Sequence, residues 1–493
     1  MRRRELSQSL VQLNFSDCDA KRMKGGSHEW ENESRDRRVN ARLHCGRHIL
    51  LQCPIPNAKF TASDPGVRPG SNGAGGMLPG LTSVEQQAFV IGRLAFQEVG
   101  SVQGTLPDTE GGLGPRFNLD SCAGCHAQPN IGGSSPALNP QIAVAKKAGA
   151  TNEIPSFITA DGPVREARFK YNPDGSPDGG VHALFTISGR SDASGCFLSQ
   201  PDFRTAVATQ NVAFRIPTPT FGLGLIEAID DDTILANLQA NAATKQSFGI
   251  RGKANIFMTG RSNASGNDGT ITRFGWKAQN KSLEMFSGEA YNVEQGVTSD
   301  LFPQERDEAN GCRFNATPES PTHFDSLNPL EVPSDVVKFA VFMRLLAPAT
   351  PSPDSFSNGS IVQGRKQFEN TGCALCHTPT LHTGKSSVAA LQGKEVNLFS
   401  DLSLHNMGPN LADSISQGNA AGDEFRTAPL WGLGARIFFL HDGRTKDLLA
   451  AIQAHASAGA GVIPPSEANQ VVANFNALNE IDKQNVLNFL RSL

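Results

Sequence analysis

Cys122-Ala-Gly-Cys125-His126 and Cys373-Ala-Leu-Cys376-His377 are two copies of one pentapeptide, Cys-x-x-Cys-His. At this chain's Cys and His frequencies, about 0.004 matches are expected by chance. The spacing has a chemical reason. The porphyrin of haem is rigid, so two thiols that add to its vinyl groups and an imidazole that reaches its iron must come from one short turn. A redox CxxC pair would not need the following His. A zinc site would need further close Cys/His pairs, and the other cysteines, at positions 18, 45, 53, 196 and 312, are scattered singly. Two covalently bound haem c groups are therefore expected. Cys122, Cys125, Cys373 and Cys376 would anchor them, with His126 and His377 as proximal iron ligands.

Composition agrees with a chain built around cofactors. Its 493 residues suit two or three domains. Gly (49) and Pro (30) are frequent and charged residues make up only 19%, as in a loop-rich protein whose cofactors replace part of the core. A net charge of −4 and a pI near 6.3 argue against a nucleic-acid partner. No apolar run reaches about 18 residues, so no transmembrane segment is expected. Cys196 and Cys312 lie in Gly/Ser/Asn-rich sequence; a disulfide formed in an oxidising compartment and two unrelated thiols both fit.

Haem attached through Cys-x-x-Cys-His is made outside the bacterial cytoplasm, so export to the periplasm is expected. Residues 1–75 hold no convincing signal for it. MRRRELSQSLVQLNF begins basic, but polar residues break its apolar stretch, and the run from His48 to Pro54 is short. SDPGVRPGSNGAGG then reads as a flexible linker. Residues 1–75 are expected to be disordered and without function, the start codon being misplaced or the true leader lost. His28, His44, Cys45 and His48 lack the regular spacing of a metal site.

Order is expected from about residue 76. Thr82-Ser83-Val84-Glu85 reads as a capped helix start. A first haem segment would run over 76–346 and a second over 347–493, parted by the Pro/Ser-rich stretch APATPSPDSFSNGS. The two echo each other. Gly-Arg helices (GRLAF at 92–96, GRKQF at 364–368) precede each pentapeptide, and FRIPTPTFGLG (214–224) resembles FRTAPLWGLG (425–434) downstream. A duplicated cytochrome c unit follows. The fold class is mainly α, with two cytochrome c-like helical haem domains, the first carrying long loops and short strands over 161–310. HALFTISG (182–189) is the best strand candidate.

GLGPRFNLDSCAGCH, FRIPTPTFGLGLIE, RFGWKAQNKSLEMF, AYNVEQGV, DLSLHNMGP and FRTAPLWGLG…FLHDGR together resemble the dihaem cytochrome c peroxidase and dihaem oxidoreductase superfamily, in its peroxidase or "thiol oxidoreductase" branch. The resemblance covers about residues 77–493. It implies an oxidoreductase in which one haem takes electrons from a small donor protein, of cytochrome or cupredoxin type, and passes them to a haem that binds peroxide or another small substrate. The thiol oxidoreductase label has no support in the residues, because neither Cys196 nor Cys312 lies in a CxxC. A pure electron-transfer dihaem cytochrome, and a redox accessory protein of an iron-uptake system, remain alternatives.

The sixth ligand of each iron decides between electron transfer and substrate binding. In the peroxidase relatives a Met follows the FHDG-type His by fourteen residues. Here that place holds His455, counted from His441, and an imidazole in place of Met would lower the potential. Met407, in HNMGP, is the rival ligand. Arg426 and Arg444 are candidate partners of haem propionates, because guanidinium pairs with carboxylate in bidentate fashion. For the first haem, His182, Met258 and Met285 are candidate ligands, with Gln103 and Gln128 as possible hydrogen-bond donors. The resemblance implies that Glu227 is the acid over the peroxide and that Trp276 carries electrons between the haems. A helix-start carboxylate and a core Trp are the bland readings of these two residues.

Overall fold

The computed structural model describes residues 60–69, 73–256, 271–306, 309–329 and 331–493. His28, His44, Cys45, His48, Met258 and the other N-terminal cysteines lie outside them. The described chain holds fourteen α-helices and eleven short strands. This agrees with a mainly helical reading, but short strands occur in both halves. Leu381–His382 pairs with Glu395–Val396, and Leu404–Asn406 with Glu424–Arg426, all antiparallel. In the first half the strand expected over 182–189 is broken into Val181–His182 and Phe185–Thr186. The first of these joins Glu166–Phe169 and Val212–Arg215 in a three-stranded sheet, with Ala167 opposite both His182 and Phe214. No described helix is long and apolar enough to cross a membrane.

The sequence echo has a packing cause. The helix Ser83–Gln97 opens on a capping box: the Thr82 side chain accepts from the Glu85 N–H, and Glu85 accepts from the Thr82 N–H. It packs against the helix Asp335–Leu345, and Gly92 permits the approach, since a Cβ there would stand 2.4 Å from the Lys338 carbonyl oxygen. The helix Gly359–Asn370 packs likewise on Glu480–Ser492, where a Cβ on Gly364 would stand 1.9 Å from the Asn485 carbonyl oxygen. The Gly-Leu-Gly turns repeat the pattern. Gly222 and Gly432 have φ of 68° and 74°, and Gly224 and Gly434 lie against the carbonyls of Arg344 and Arg491. Each pentapeptide is thus preceded by a helix whose glycine fits the closing helix of its half.

Residues 60–69 are not the disordered tail expected through residue 75. The Ala62 N–H donates to Glu480 Oε2 at 2.8 Å, and the Arg491 guanidinium grips Asp64 at 2.7 and 2.6 Å. A buried Arg needs a carboxylate partner, which is why this segment is held. Cys196 and Cys312 form a disulfide. Hydrogen bonds also cross between the segments before and after residue 346, as in the reciprocal Lys253–Leu404 backbone pair.

Gly364→Ala is expected to destabilise the protein by about 1–3 kcal/mol through overpacking. Urea unfolding followed by circular dichroism would show it as a lowered midpoint at unchanged slope.

Candidate haem sites

Each pentapeptide forms a tight helical turn. Ser121 caps Cys122–Cys125 by accepting from the Gly124 N–H at 3.2 Å, and the His126 N–H closes the turn on the Cys122 carbonyl at 3.0 Å. The His377 N–H closes the second turn on the Cys373 carbonyl at 2.9 Å. Both imidazoles are then fixed from behind. His126 Nδ1 donates to the Gly133 carbonyl at 2.9 Å and His377 Nδ1 to the Phe399 carbonyl at 3.0 Å. A donor at Nδ1 leaves the lone pair on Nε2, the state a metal ligand needs. Burial lowers both rings to a pKa of about 4, so they stay neutral. Phe96 and Phe368 flank them, with ring centroids at 5.8 and 6.4 Å.

Each turn opens on a cleft. The first, about 1110 Å³ of free space with its mouth, is lined by Cys122, Cys125 and His126. The second, about 1430 Å³, is lined by Cys373, Cys376 and His377. Burial pushes the Cys122 thiol up to about 12 and Cys373 to about 11, which is the reverse of a reactive thiolate pair. Polar atoms await partners. In the second cleft Arg436 Nε has no hydrogen-bond partner among the described residues, and the Arg426 guanidinium donates only to the carbonyls of Gly275 and Thr427. Burial lowers both guanidinium pKa values to about 10. In the first cleft Ser287 Oγ and Gln279 Oε1 lack partners among the described residues. Two sulfurs, a free Nε2 and buried cations suited to propionates fit a haem in the second cleft; the first repeats the sulfurs and the imidazole.

The clefts differ in what faces the bound group. The second is largely apolar and contains another imidazole. His455 ends the helix Leu448–Ala454, and its Nδ1 donates to the Ala451 carbonyl at 2.7 Å, leaving the lone pair on Nε2 as in His377. Met407 lines the same cleft. His405 does too, but Asp401 and Glu467 hold its two ring nitrogens at 2.9 and 2.8 Å. Both nitrogens therefore carry protons, and no lone pair is left for iron. Among the described residues, the first cleft is lined by no imidazole except His126. It carries instead Glu166, Glu289, Glu294, Arg165, Arg168, Arg215 and Tyr291.

Trp276 lines both clefts. Its Nε1 donates to the Ile216 carbonyl at 2.9 Å, and its indole meets the His441 ring edge-on at 6.4 Å. His441 stacks on Phe425 at 4.4 Å, and Lys277 Nζ lies 3.9 Å from the centre of the same Phe425 ring. Behind this wall Asp413, 1% exposed at its side chain, pairs with Arg215 at 2.7 Å and with Lys277 at 3.1 Å.

Other residues singled out in the sequence stand elsewhere. Glu227 lines neither cleft: its carboxylate pairs with Arg344 at 2.6 Å and accepts from the Leu283 N–H at 2.9 Å, at the start of the helix Leu283–Gln295. Arg444 pairs with Asp442 at 2.7 Å, outside the clefts, while Arg436, which sequence reasoning passed over, takes the buried place beside Arg426. His182 pairs with Asp178 and stacks on Phe169, and Met285 lines neither of the two clefts. Gln103 and Gln128 donate to the Asp192 and Ala435 carbonyls.

Residues 168–493 match the family described as "Di-haem oxidoreductase, putative peroxidase", and the chain belongs to it. The matched stretch includes Cys373–His377 and begins after Cys122–His126. No curated protein matches the chain. Among solved structures, the diheme peroxidase BthA from Burkholderia thailandensis is 14% identical, with 45% of this chain and 65% of that one covered and a TM-score of 0.28. A MauG-like protein associated with microbial copper homeostasis is 16% identical, covering 56% and 90%, with a TM-score of 0.28. Hydrazine synthase of Kuenenia stuttgartiensis is 18% identical, covering 34% and 56%, with a TM-score of 0.22. The chain thus spans just over half of that hydrazine synthase chain.

Asp413→Asn is expected to destabilise the protein by about 3–5 kcal/mol, because it leaves Arg215 and Lys277 as buried cations without a counter-charge. Denaturant unfolding measures this. Lys277, whose pKa burial already lowers to about 8, would lose its proton at lower pH in the variant.

Proposed function

We propose that this chain is an exported dihaem c-type oxidoreductase of peroxidase type. Its first haem, held by Cys122, Cys125 and His126, binds the substrate. Its second, held by Cys373, Cys376 and His377 and closed by His455, takes electrons from a small donor protein. The observation that carries the reading is the contrast between the clefts: carboxylates and guanidiniums face the first imidazole, and a second free imidazole faces the other. When bound, haem supplies the iron and the redox chemistry. The chain's own residues orient it, exclude water from the second site and present polar groups to a small oxidant at the first.

Several features support the parts of this reading. Each haem would have its own helical frame, formed by Ser83–Gln97 with Asp335–Leu345 and by Gly359–Asn370 with Glu480–Ser492. Arg426 and Arg436 would pair with the propionates of the second haem. Trp276, shared by both clefts, would relay electrons between them. The Cys196–Cys312 disulfide suits an oxidising compartment, the periplasm above all. One observation favours the second reading, an electron-transfer cytochrome without turnover: His455 stands where a Met would give a higher potential.

EPR and absorption spectra of the haem-loaded protein, with and without peroxide, decide between them. One high-spin signal that responds to peroxide, beside one low-spin signal, is expected. Two low-spin signals silent to peroxide at every redox level would leave the electron carrier. His455→Ala is expected to turn the second haem high-spin and leave the first unchanged; a second haem that stays low-spin would shift the assignment to Met407. Trp276→Phe is expected to slow inter-haem electron transfer after flash reduction, and an unchanged rate removes Trp276 from the path.

A further inference from the structure

Three ionised side chains meet beside the second cleft, and two of them, His405 and Glu467, line it. His405, on the strand Leu404–Asn406, is 4% exposed and donates from Nε2 to Asp401 and from Nδ1 to Glu467. Each carboxylate has further attachments. The Asp401 N–H donates to the Cys376 carbonyl at 2.9 Å, and Asp401 Oδ1 accepts from the Ser403 N–H at 3.0 Å. Glu467 Oε2 accepts from the N–H groups of Arg251 and Gly252 at 2.9 and 3.1 Å, and Oε1 from the Asn406 N–H at 3.3 Å. The Glu467 N–H donates to the Asn406 carbonyl at 3.0 Å. A Cβ on Gly252 would stand 2.5 Å from His405 Cε1, so the ring is boxed in on that side as well. Burying such a triad costs solvation that apolar side chains would not. The best-attested use of a buried polar group is to fix the register of the elements it joins.

The elements joined here carry the two rival ligands of the second iron. Met407 directly follows the strand. Its side chain packs on the apolar cluster of Ile216, Trp276, Phe425 and Phe438, and its N–H donates to the Asp423 carbonyl at 2.9 Å. From His455 the chain returns through residues 456–466 to Glu467. Ser466 Oγ donates to the His455 carbonyl at 2.6 Å, and the Ser466 N–H to the Ser457 carbonyl at 3.0 Å. The two paths also touch between the ligands. Gly408, next to Met407, has a φ of 67°, and a Cβ on it would stand 2.8 Å from Ser457 Cβ and 3.0 Å from the Ser466 nitrogen. The backbone after Met407 is thus seated on the backbone after His455, and neither shifts alone.

We propose that the Asp401–His405–Glu467 clamp selects the sixth ligand of the second iron, holding His455 over the cleft and Met407 in the apolar wall. The inference rests on the reading of His455 as that ligand. His405 and Glu467 are positioning residues: they act through Ser466 on one ligand and through the end of the strand Leu404–Asn406 on the other. With the clamp broken, the imidazole lone pair leaves the iron and the thioether lone pair of Met407 takes its place, an exchange that moves neither electron nor proton. The clamp thereby sets the potential of the second haem, because methionine ligation raises it. Glu467 is itself held by the Arg251 and Gly252 backbone, so the ligand of the second haem depends on a loop of the first half.

The test reads the ligand itself. A ferric haem bound by a methionine sulfur has a long-wavelength sulfur-to-iron absorption band that a bis-imidazole haem lacks. In the haem-loaded full chain, Glu467→Gln is expected to bring up this band and to raise the potential of the second haem in a redox titration, the first haem keeping its signals. Adding Met407→Leu to that variant is expected to abolish the band and leave the second haem high-spin, which identifies the new sulfur. A clamp with a merely structural role gives a second haem that is high-spin in Glu467→Gln and unmoved by Met407→Leu. That result, or a spectrum and potential equal to those of the unaltered protein, overturns the proposal and leaves His455 as the ligand. A sulfur band in the unaltered protein overturns the reading of His455, and the clamp proposal with it. Should Glu467→Gln fail to take up haem, Ser466→Ala removes the bond to the His455 carbonyl and leaves the three charges in place. It is expected to show the same band in part of the protein, and absence of the band there overturns the proposal.

Discussion

The backbone carbonyls behind His126 and His377 are the constraint on which the rest depends. An imidazole buried without a partner would be free to turn, and either nitrogen could carry the proton. The Gly133 and Phe399 carbonyls fix the proton on Nδ1 and so aim Nε2 at the cleft. To keep those carbonyls in place, each motif turn is braced by a helix against the closing helix of its half. The glycines at 92 and 364 let the backbones meet at a distance that no side chain would allow. The same device, a ring held by a main-chain oxygen, recurs at His455, where the oxygen is the helix's own.

Much of this is legible in the sequence because it is local. The pentapeptide encodes its own turn, the Gly-Arg echo encodes the helix contact, and fourteen residues beyond His441 the chain returns a histidine to the second cleft. What is not legible depends on partners far along the chain. Glu227 stands in the right phrase, but Arg344, 117 residues later, and the start of the Leu283 helix claim its carboxylate. Glu166 and Glu294 belong to a strand and a helix that nothing in the sequence joins. Arg436 and Arg444 look alike on paper. The apolar residues Ile437–Phe439 that follow Arg436 carry it inside, and the neighbouring Asp442 keeps Arg444 half in solvent.

The wall between the clefts shows how polar groups can be buried together. Arg215, Asp413 and Lys277 satisfy one another, and the Lys277 ammonium lies on the face of Phe425, whose other neighbour is His441. Asp413 comes from the second half and the two cations from the first, so the wall is assembled only when both halves are in place. Burial also lowers the pKa of His441 to about 4, which leaves a neutral aromatic stack beside Trp276 rather than a second charge.

The clasp between Asp64 and Arg491 ties residues at opposite ends of the described chain. The helix Glu480–Ser492 follows both haem motifs along the chain, yet its buried guanidinium is neutralised by a segment that precedes them both. A fragment cut at the Pro/Ser-rich stretch would therefore carry every lining residue of the second cleft but Trp276 and still lack the counter-charge of its closing helix. Dissecting the two halves for separate study calls for residues 60–69 to be grafted onto the second, not left with the first.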